Sequence, residues 1–180
     1  MYKYQNILEF WFEESKPDQW FKKDTEFDNK IKENFSNYID KAILGNFLPW
    51  EDNKEGCLAL IIILDQFTRN IFRGDPNSFL GDQKALRLSQ KCVVNGYLEK
   101  SKMSWCQFML VPMMHSEDLI IQEKSLPFFK KYTNDQVYDF AIKHRDIIFR
   151  FGRFPHRNKI LFRKSTAEEL EFLNKPGSSF

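Results

Sequence analysis

The run Cys57 to Leu64, CLALIIIL, presents no polar face at any helical or strand periodicity. It lies in a segment from about Glu55 to Ile71 that Gly74 and Pro76 terminate, so the pattern predicts a helix that is apolar nearly all round. A helix of that kind is stable in water only when other elements enclose it on several sides. The rest of the chain must supply the enclosure, and it reads as helices.

Residues 3–14 form a short amphipathic helix with Ile7, Leu8, Phe10, Trp11 and Phe12 on a wide apolar face. A loop at Ser15–Asp18 follows, and Trp20 and Phe21 are expected to pin it to the core. Phe27, Ile31, Phe35, Tyr38 and Ala42 recur every three or four residues. They predict a helix from Asp24, its N-cap, to Leu44, with Gly45 just beyond the end. Further helices are expected over Asp82–Asn95, over 103–113 with an interruption at Pro112, and over Glu117–Lys131. The last of these would be capped by Ser116 and kinked or ended by Pro127. Another runs from its cap Asn134 to Phe151. Ser165-Thr166-Ala167-Glu168 reads as a capping box for a last helix over 166–173. The expected architecture is all-α, about seven or eight helices joined by short turns, which favours stacked antiparallel helical hairpins. No linker or low-complexity tract interrupts residues 1–180, so one domain with one core is expected.

Composition narrows the function classes. The net charge is +2, so no global field draws the chain to duplex nucleic acid or to a membrane. The charge is unevenly placed: eight bases against one acid, Asp146, occur between Lys143 and Lys164. Cys57, Cys92 and Cys106 are odd in number and far apart, which fits neither a disulfide framework nor a zinc knuckle. The opening MYKYQNILEFWFEE lacks the pattern of a signal peptide. The longest aliphatic run is too short to cross a bilayer. A reducing, cytoplasmic setting is therefore expected.

Three segments, LDQFTRNIFRG (64–74), MMHSEDL (113–119) and HRDIIFRFGRFPHRN (144–158), stand out for their polar and aromatic density. Together with LEFWF (8–12), WFKKD (20–24) and the closing PGSSF, they resemble an uncharacterised bacterial family. That family is known as a domain of unknown function within the tetratricopeptide-like (TPR-like) helical superfamily. The resemblance spans essentially the whole chain, with Thr68 where proline is usual. It implies an all-helical, TPR-like fold and no particular activity.

The same segments hold the candidate site residues. Asp65 and Arg69 stand one helical turn apart and can pair. Arg69, Asn70 and Arg73 can instead point into a pocket, where guanidinium forks suit carboxylate or phosphate. Ser116, Glu117 and Asp118 suit a helix start, but capping leaves His115 unexplained. His144 shares the core face of its helix with Phe140, and Asp146, Arg150 and Arg153 share another face, as in a salt-bridge ladder. Arg153, His156, Arg157 and Asn158 surround Phe154 and Pro155 in a turn able to hold an anion or serve structure alone. A metal site would require His115, His156 and Glu117 or Asp118 to converge. No HExxH, GxSxG, Walker or GxGxxG motif is present, and no cofactor is implied.

The favoured reading is an Arg/His-lined polar pocket for a small anionic ligand or peptide. Arg69, Arg73, Arg150, Arg153 and Arg157 would clamp the anion, and His115 and His156 are the candidate proton-transfer groups. The rivals are a non-catalytic scaffold for a protein partner and a hydrolase or transferase on a phosphate- or carboxylate-bearing substrate. The tail Pro176–Phe180 is expected to dock Phe180 on the body, with its carboxylate near Arg153 or Arg157.

Overall fold

The structure, a computed structural model, describes residues 2–178, and among these there is no β-strand. Helix α1 (Tyr4–Glu9) runs straight into a π-helical turn, Phe10–Glu14. Helix α2 (Thr25–Ile43) starts at Asp24, whose carboxylate accepts from the Glu26 and Phe27 amides, and ends before Gly45 at φ 81°. The central rod is α3 (Lys54–Ile61), a π-helical stretch Ile62–Phe67, and α4 (Thr68–Ile71) in direct succession. Then follow α5 (Asp82–Val94), α6 (Met103–Met114), α7 (Leu119–Tyr132), α8 (Asp135–Phe151) and α9 (Ala167–Leu173).

The central rod is enclosed as its composition demands. Cys57 to Leu64 are all buried, with α1, α2, α5 and α6 packed around the rod. Helices α5, α6, α7 and α8 then pack each against the next. The aromatic residues of α1 and its π turn join the layers. Trp11 is fully buried, with its ring 5.6 Å from Phe67 and 5.4 Å from Phe108. A smaller apolar cluster, Ile147, Ile148 and Phe154, closes the far end. All three cysteines are buried as free thiols. Among the described residues no helix is long and apolar enough to cross a membrane.

Several boundaries differ from the sequence reading. Helix α6 continues through Pro112 to Met114, because a proline in the final turn forfeits one hydrogen bond without blocking those already made. Helix α7 likewise passes Pro127 and reaches Tyr132. Its cap is Asp118 rather than Ser116: the Asp118 carboxylate accepts from the Ile120 and Ile121 amides. Glu117 thereby lies outside the helix, drawn to Arg163. The last capping box is Thr166 with Glu169, one residue later than expected, since Ser165 is held by Asn158 and Glu168 by Arg150. Both aromatics meet the core: Trp20 stacks on Trp11, and Phe21, though 64% exposed, stacks on the buried Phe108 ring at 6.0 Å. Phe140 is 41% exposed and stands at a rim, not in the core. Phe180 lies outside the described residues, so its expected docking does too.

Two glycines permit backbones to touch. A Cβ on Gly56 would lie 2.0 Å from the Trp50 carbonyl oxygen, and one on Gly81 would lie 2.1 Å from that of Leu64. Backbone cannot withdraw as a side-chain tip can. Gly56→Ala should therefore destabilise the protein by at least about 1–3 kcal/mol, read as a lower midpoint in urea denaturation. An unchanged midpoint would mean that the turn at Trp50 is not held where it is described.

Candidate functional site

The π-helical stretch in the central rod is what builds the site. Regular i to i+4 bonding would keep the rod uniform, whereas π turns recur at functional positions because they re-aim side chains. Here the stretch carries Asp65 and Gln66. Asp65 is fully buried, and a buried carboxylate persists as an ion only when partners answer it. Its Oδ1 lies 3.0 Å from Arg69 Nη1 and 2.8 Å from His115 Nδ1, and Gln66 Nε2 donates to its Oδ2 at 2.6 Å. Burial presses the Asp65 pKa upward, but the Arg69 charge and then His115 override it and hold the carboxyl below its ordinary range.

Arg69 continues the chain of charges. Its Nη1 and Nη2 reach Asp82 at 2.9 and 3.0 Å. Asp82 opens α5 immediately after Gly81, so the glycine's contact with Leu64 is what brings this carboxylate against Arg69. On its other side Asp82 lies 3.7 Å from Arg157 Nη1. Arg157 is 7% exposed, and among the described residues its one side-chain hydrogen bond runs from Nη2 to the His115 carbonyl, 3.0 Å. Its Nε is buried without a partner there. The guanidinium lies between the Phe79 and Phe154 rings, at 4.9 and 4.5 Å. Burial, and then the Arg69 charge, push the Arg157 pKa down to about 10.

Of these groups Gln66, Arg69, Phe79, His115 and Arg157 reach the wall of a cavity of about 830 Å³. Arg69, Asn70, Arg73, His115, His156 and Arg157 all line it, so three separated segments converge there. Residues that sequence reasoning did not place at a site complete the lining: Gln66, Gln107 and His144, with Trp20, Phe21, Phe79 and Phe140 supplying aromatic surface. Asn70 and Arg73 are both tied to Asp28, Asn70 Nδ2 at 2.7 Å and Arg73 Nε at 2.8 Å. A second recess of about 240 Å³ lies against the same wall, and His115 and Arg157 line both spaces.

The other candidates sit elsewhere. Glu117 borders the small recess, paired with Arg163 at 2.6 Å and accepting from the Phe154 amide at 2.8 Å. Asp118 caps α7. Asn158 is buried and accepts from Arg163 Nε at 3.0 Å. Arg150 pairs with Glu168 and Arg153 with Glu169, while Asp146 pairs with Arg145, so no ladder runs along that face of α8. No group of three or more His, Cys, Asp or Glu positioned to hold a metal ion occurs among the described residues.

All three histidines are held toward the neutral form. Burial lowers His115 despite Asp65 beside it. Burial and then His115 lower His144 to about 3, and burial and then Arg157 lower His156 to about 4. His144 Nδ1 bonds the Phe140 carbonyl at 2.7 Å, and its ring centroid lies 6.2 Å from that of His115. An unfolded histidine titrates near 6.5, so between pH 6.5 and about 4 the unfolded chain binds more protons than the folded one. Stability is therefore complete above pH 6.5 and falls on acidification through this window. The loss should approach roughly 1.4 kcal/mol per pH unit for each histidine that charges only on unfolding. Urea unfolding at pH 6 and pH 5 checks this, and His156→Gln should flatten the slope. Equal slopes in both proteins would contradict the burial of His156.

The family described as "Bacterial protein of unknown function (DUF924)" matches residues 7–177. A solved protein of unknown function from Agrobacterium tumefaciens is 34% identical, with a TM-score of 0.90 over 94% of this chain and 96% of that one. No curated protein matches the chain.

Proposed function

The chain belongs to the DUF924 family of bacterial proteins of unknown function, and we propose that its role is to bind a small molecule bearing one carboxylate-like negative charge in the large cavity. The observation that carries this reading is Arg157. Asp65 is committed to Arg69, His115 and Gln66, and Asp82 lies nearer Arg69 than Arg157. The buried guanidinium is thus left with a charge only partly answered, and a buried cation in that state favours an incoming anion. Two arginines already balance two aspartates, so the wall offers one imperfectly paired cation, Arg157, and no surplus positive charge for a dianion. The volume of about 830 Å³ is in the range of small-ligand pockets, roughly 300–1,000 Å³. Aromatic rings and amides around one buried, imperfectly paired cation suit a flat or apolar body with a few polar groups.

The fold reading that accompanies this is a TPR-like array of stacked antiparallel hairpins, supported by the sequential packing of α5 to α8. A scaffold for a protein partner has its own support in Phe149 and Phe162, which stand 70% and 88% exposed.

Isothermal titration with benzoate as the minimal probe tests the pocket. The wild type should bind with a Kd of about 1 mM or tighter, and Arg157→Gln should weaken binding at least about tenfold. Because Arg157 is buried, Arg73→Gln and Phe140→Ala at the rim provide a milder pair, each expected to weaken binding by about two- to fivefold. Lys131→Gln, paired with Glu99 away from the cavity, should leave it unchanged. Failure of the wild type to bind benzoate would overturn the reading and move attention to the exposed phenylalanines.

A further inference from the structure

We infer that His115, oriented by Asp65, is a general base that hydrolyses small carboxylic esters bound in the large cavity. This rests on the carboxylate-pocket reading and names the substrate whose product that carboxylate would be.

The argument begins with the tautomer. An ionised carboxylate only accepts hydrogen bonds, so the 2.8 Å contact between Asp65 Oδ1 and His115 Nδ1 puts the proton on Nδ1. Nε2, on the ring edge away from Asp65, then carries the lone pair. Asp65 cannot turn away, because Gln66 and Arg69 fix its two oxygens from other directions. Burial keeps the imidazole neutral, which is the form a base requires. His115 lines both spaces and its side chain keeps 19% exposure, which leaves the imidazole open to a ligand in the large one and to water.

The cation completes the arrangement. Arg157 Nη2 is bonded to the His115 backbone carbonyl at 3.0 Å, which ties the guanidinium and the base to one point of the wall. A neutral ester bound there gains one negative charge as water adds to its acyl carbon. Arg157, whose nearest carboxylate stands 3.7 Å away, can answer one such charge, and a wall with no surplus positive charge disfavours a phosphoryl dianion. In the step itself Nε2 takes a proton from water while the water oxygen bonds to the acyl carbon. The carbonyl π pair moves onto oxygen beside Arg157. Collapse of this intermediate breaks the bond to the leaving oxygen, which takes the proton back from the imidazolium. Carboxylic acid and alcohol leave, and His115 is neutral again. Asp65 is a positioning residue: it holds the tautomer and stabilises the transient imidazolium without touching substrate.

The test is hydrolysis of 4-nitrophenyl acetate, butyrate and benzoate by the full chain, with 4-nitrophenyl phosphate in parallel. The wild type should cleave at least one ester, with kcat/KM rising with pH to a plateau whose midpoint lies below 6.5. His115→Gln should lower kcat/KM about 100-fold or more. The same variant should still bind benzoate measurably, since the backbone carbonyl that holds Arg157 is retained, whereas Lys131→Gln, away from the cavity, should leave both binding and rate unchanged. Asp65→Asn should lower kcat and displace the pH midpoint, a readout that mere loosening of the wall would not give. If Asp65→Asn fails to fold, the His115→Gln comparison and the wild-type profile still decide. Benzoate binding without ester cleavage, or an unchanged rate in His115→Gln, would overturn this inference and leave the pocket reading intact. Cleavage of the phosphate alone would also overturn it, in favour of a phosphoester substrate.

Discussion

A carboxylate sealed inside an otherwise aliphatic rod is the constraint on which the rest depends. Asp65 follows Leu64 directly and is as buried as the apolar residues before it. An unanswered charge there would cost several kcal/mol, so the fold must bring Arg69, His115 and Gln66 to it. Meeting that need fixes the register of α4 against α5 through Asp82, and of α6 against the turn after α8 through Arg157. The polar wall of the cavity is the visible side of this compensation. Structure and site are therefore not separable here: the same ion pairs that close the core leave one guanidinium partly unanswered at its edge.

Helical periodicity made the fold class legible. The continuous apolar run at 57–64 foretold the central rod, and the caps Asp24 and Asn134 marked helix starts because their side chains accept from amides two or three residues ahead. The Asp65–Arg69 pair was also visible, being a spacing within one helix. What periodicity cannot carry is contact between segments. His115 meeting Asp65 joins positions 50 apart in sequence, and the role of Asp82 depends on a glycine whose significance lies in a neighbouring backbone. The π stretch is equally silent, because a helix with one wider turn uses the same residues as a regular one. Ser116 and Glu117 misled for a related reason: three consecutive polar residues before a helix offer three possible caps, and only the position of Arg163 decides among them.

The basic segment from Lys143 to Lys164 illustrates how a charge cluster divides once folded. Arg150, Arg153 and Arg163 each have a glutamate, and these pairs fasten the turn after α8 to α9 and to the link before α7. Arg157 alone of the motif arginines in that turn faces the cavity with a carboxylate no nearer than 3.7 Å. The density of arginine in sequence thus reflects mainly the fastening of a short C-terminal helix that has too little apolar surface to hold itself.

Gly81 carries a consequence for how such a chain can drift over generations. The position is not constrained by its own backbone angles, φ −89° being open to any residue. It is constrained by the absence of a side chain facing the Leu64 carbonyl. Any replacement displaces the start of α5 and with it the carboxylate shared by Arg69 and Arg157. A lineage that lost this glycine would keep its apolar core but be driven to discard one of the two arginines, so glycine and arginine pair are expected to be inherited or abandoned together.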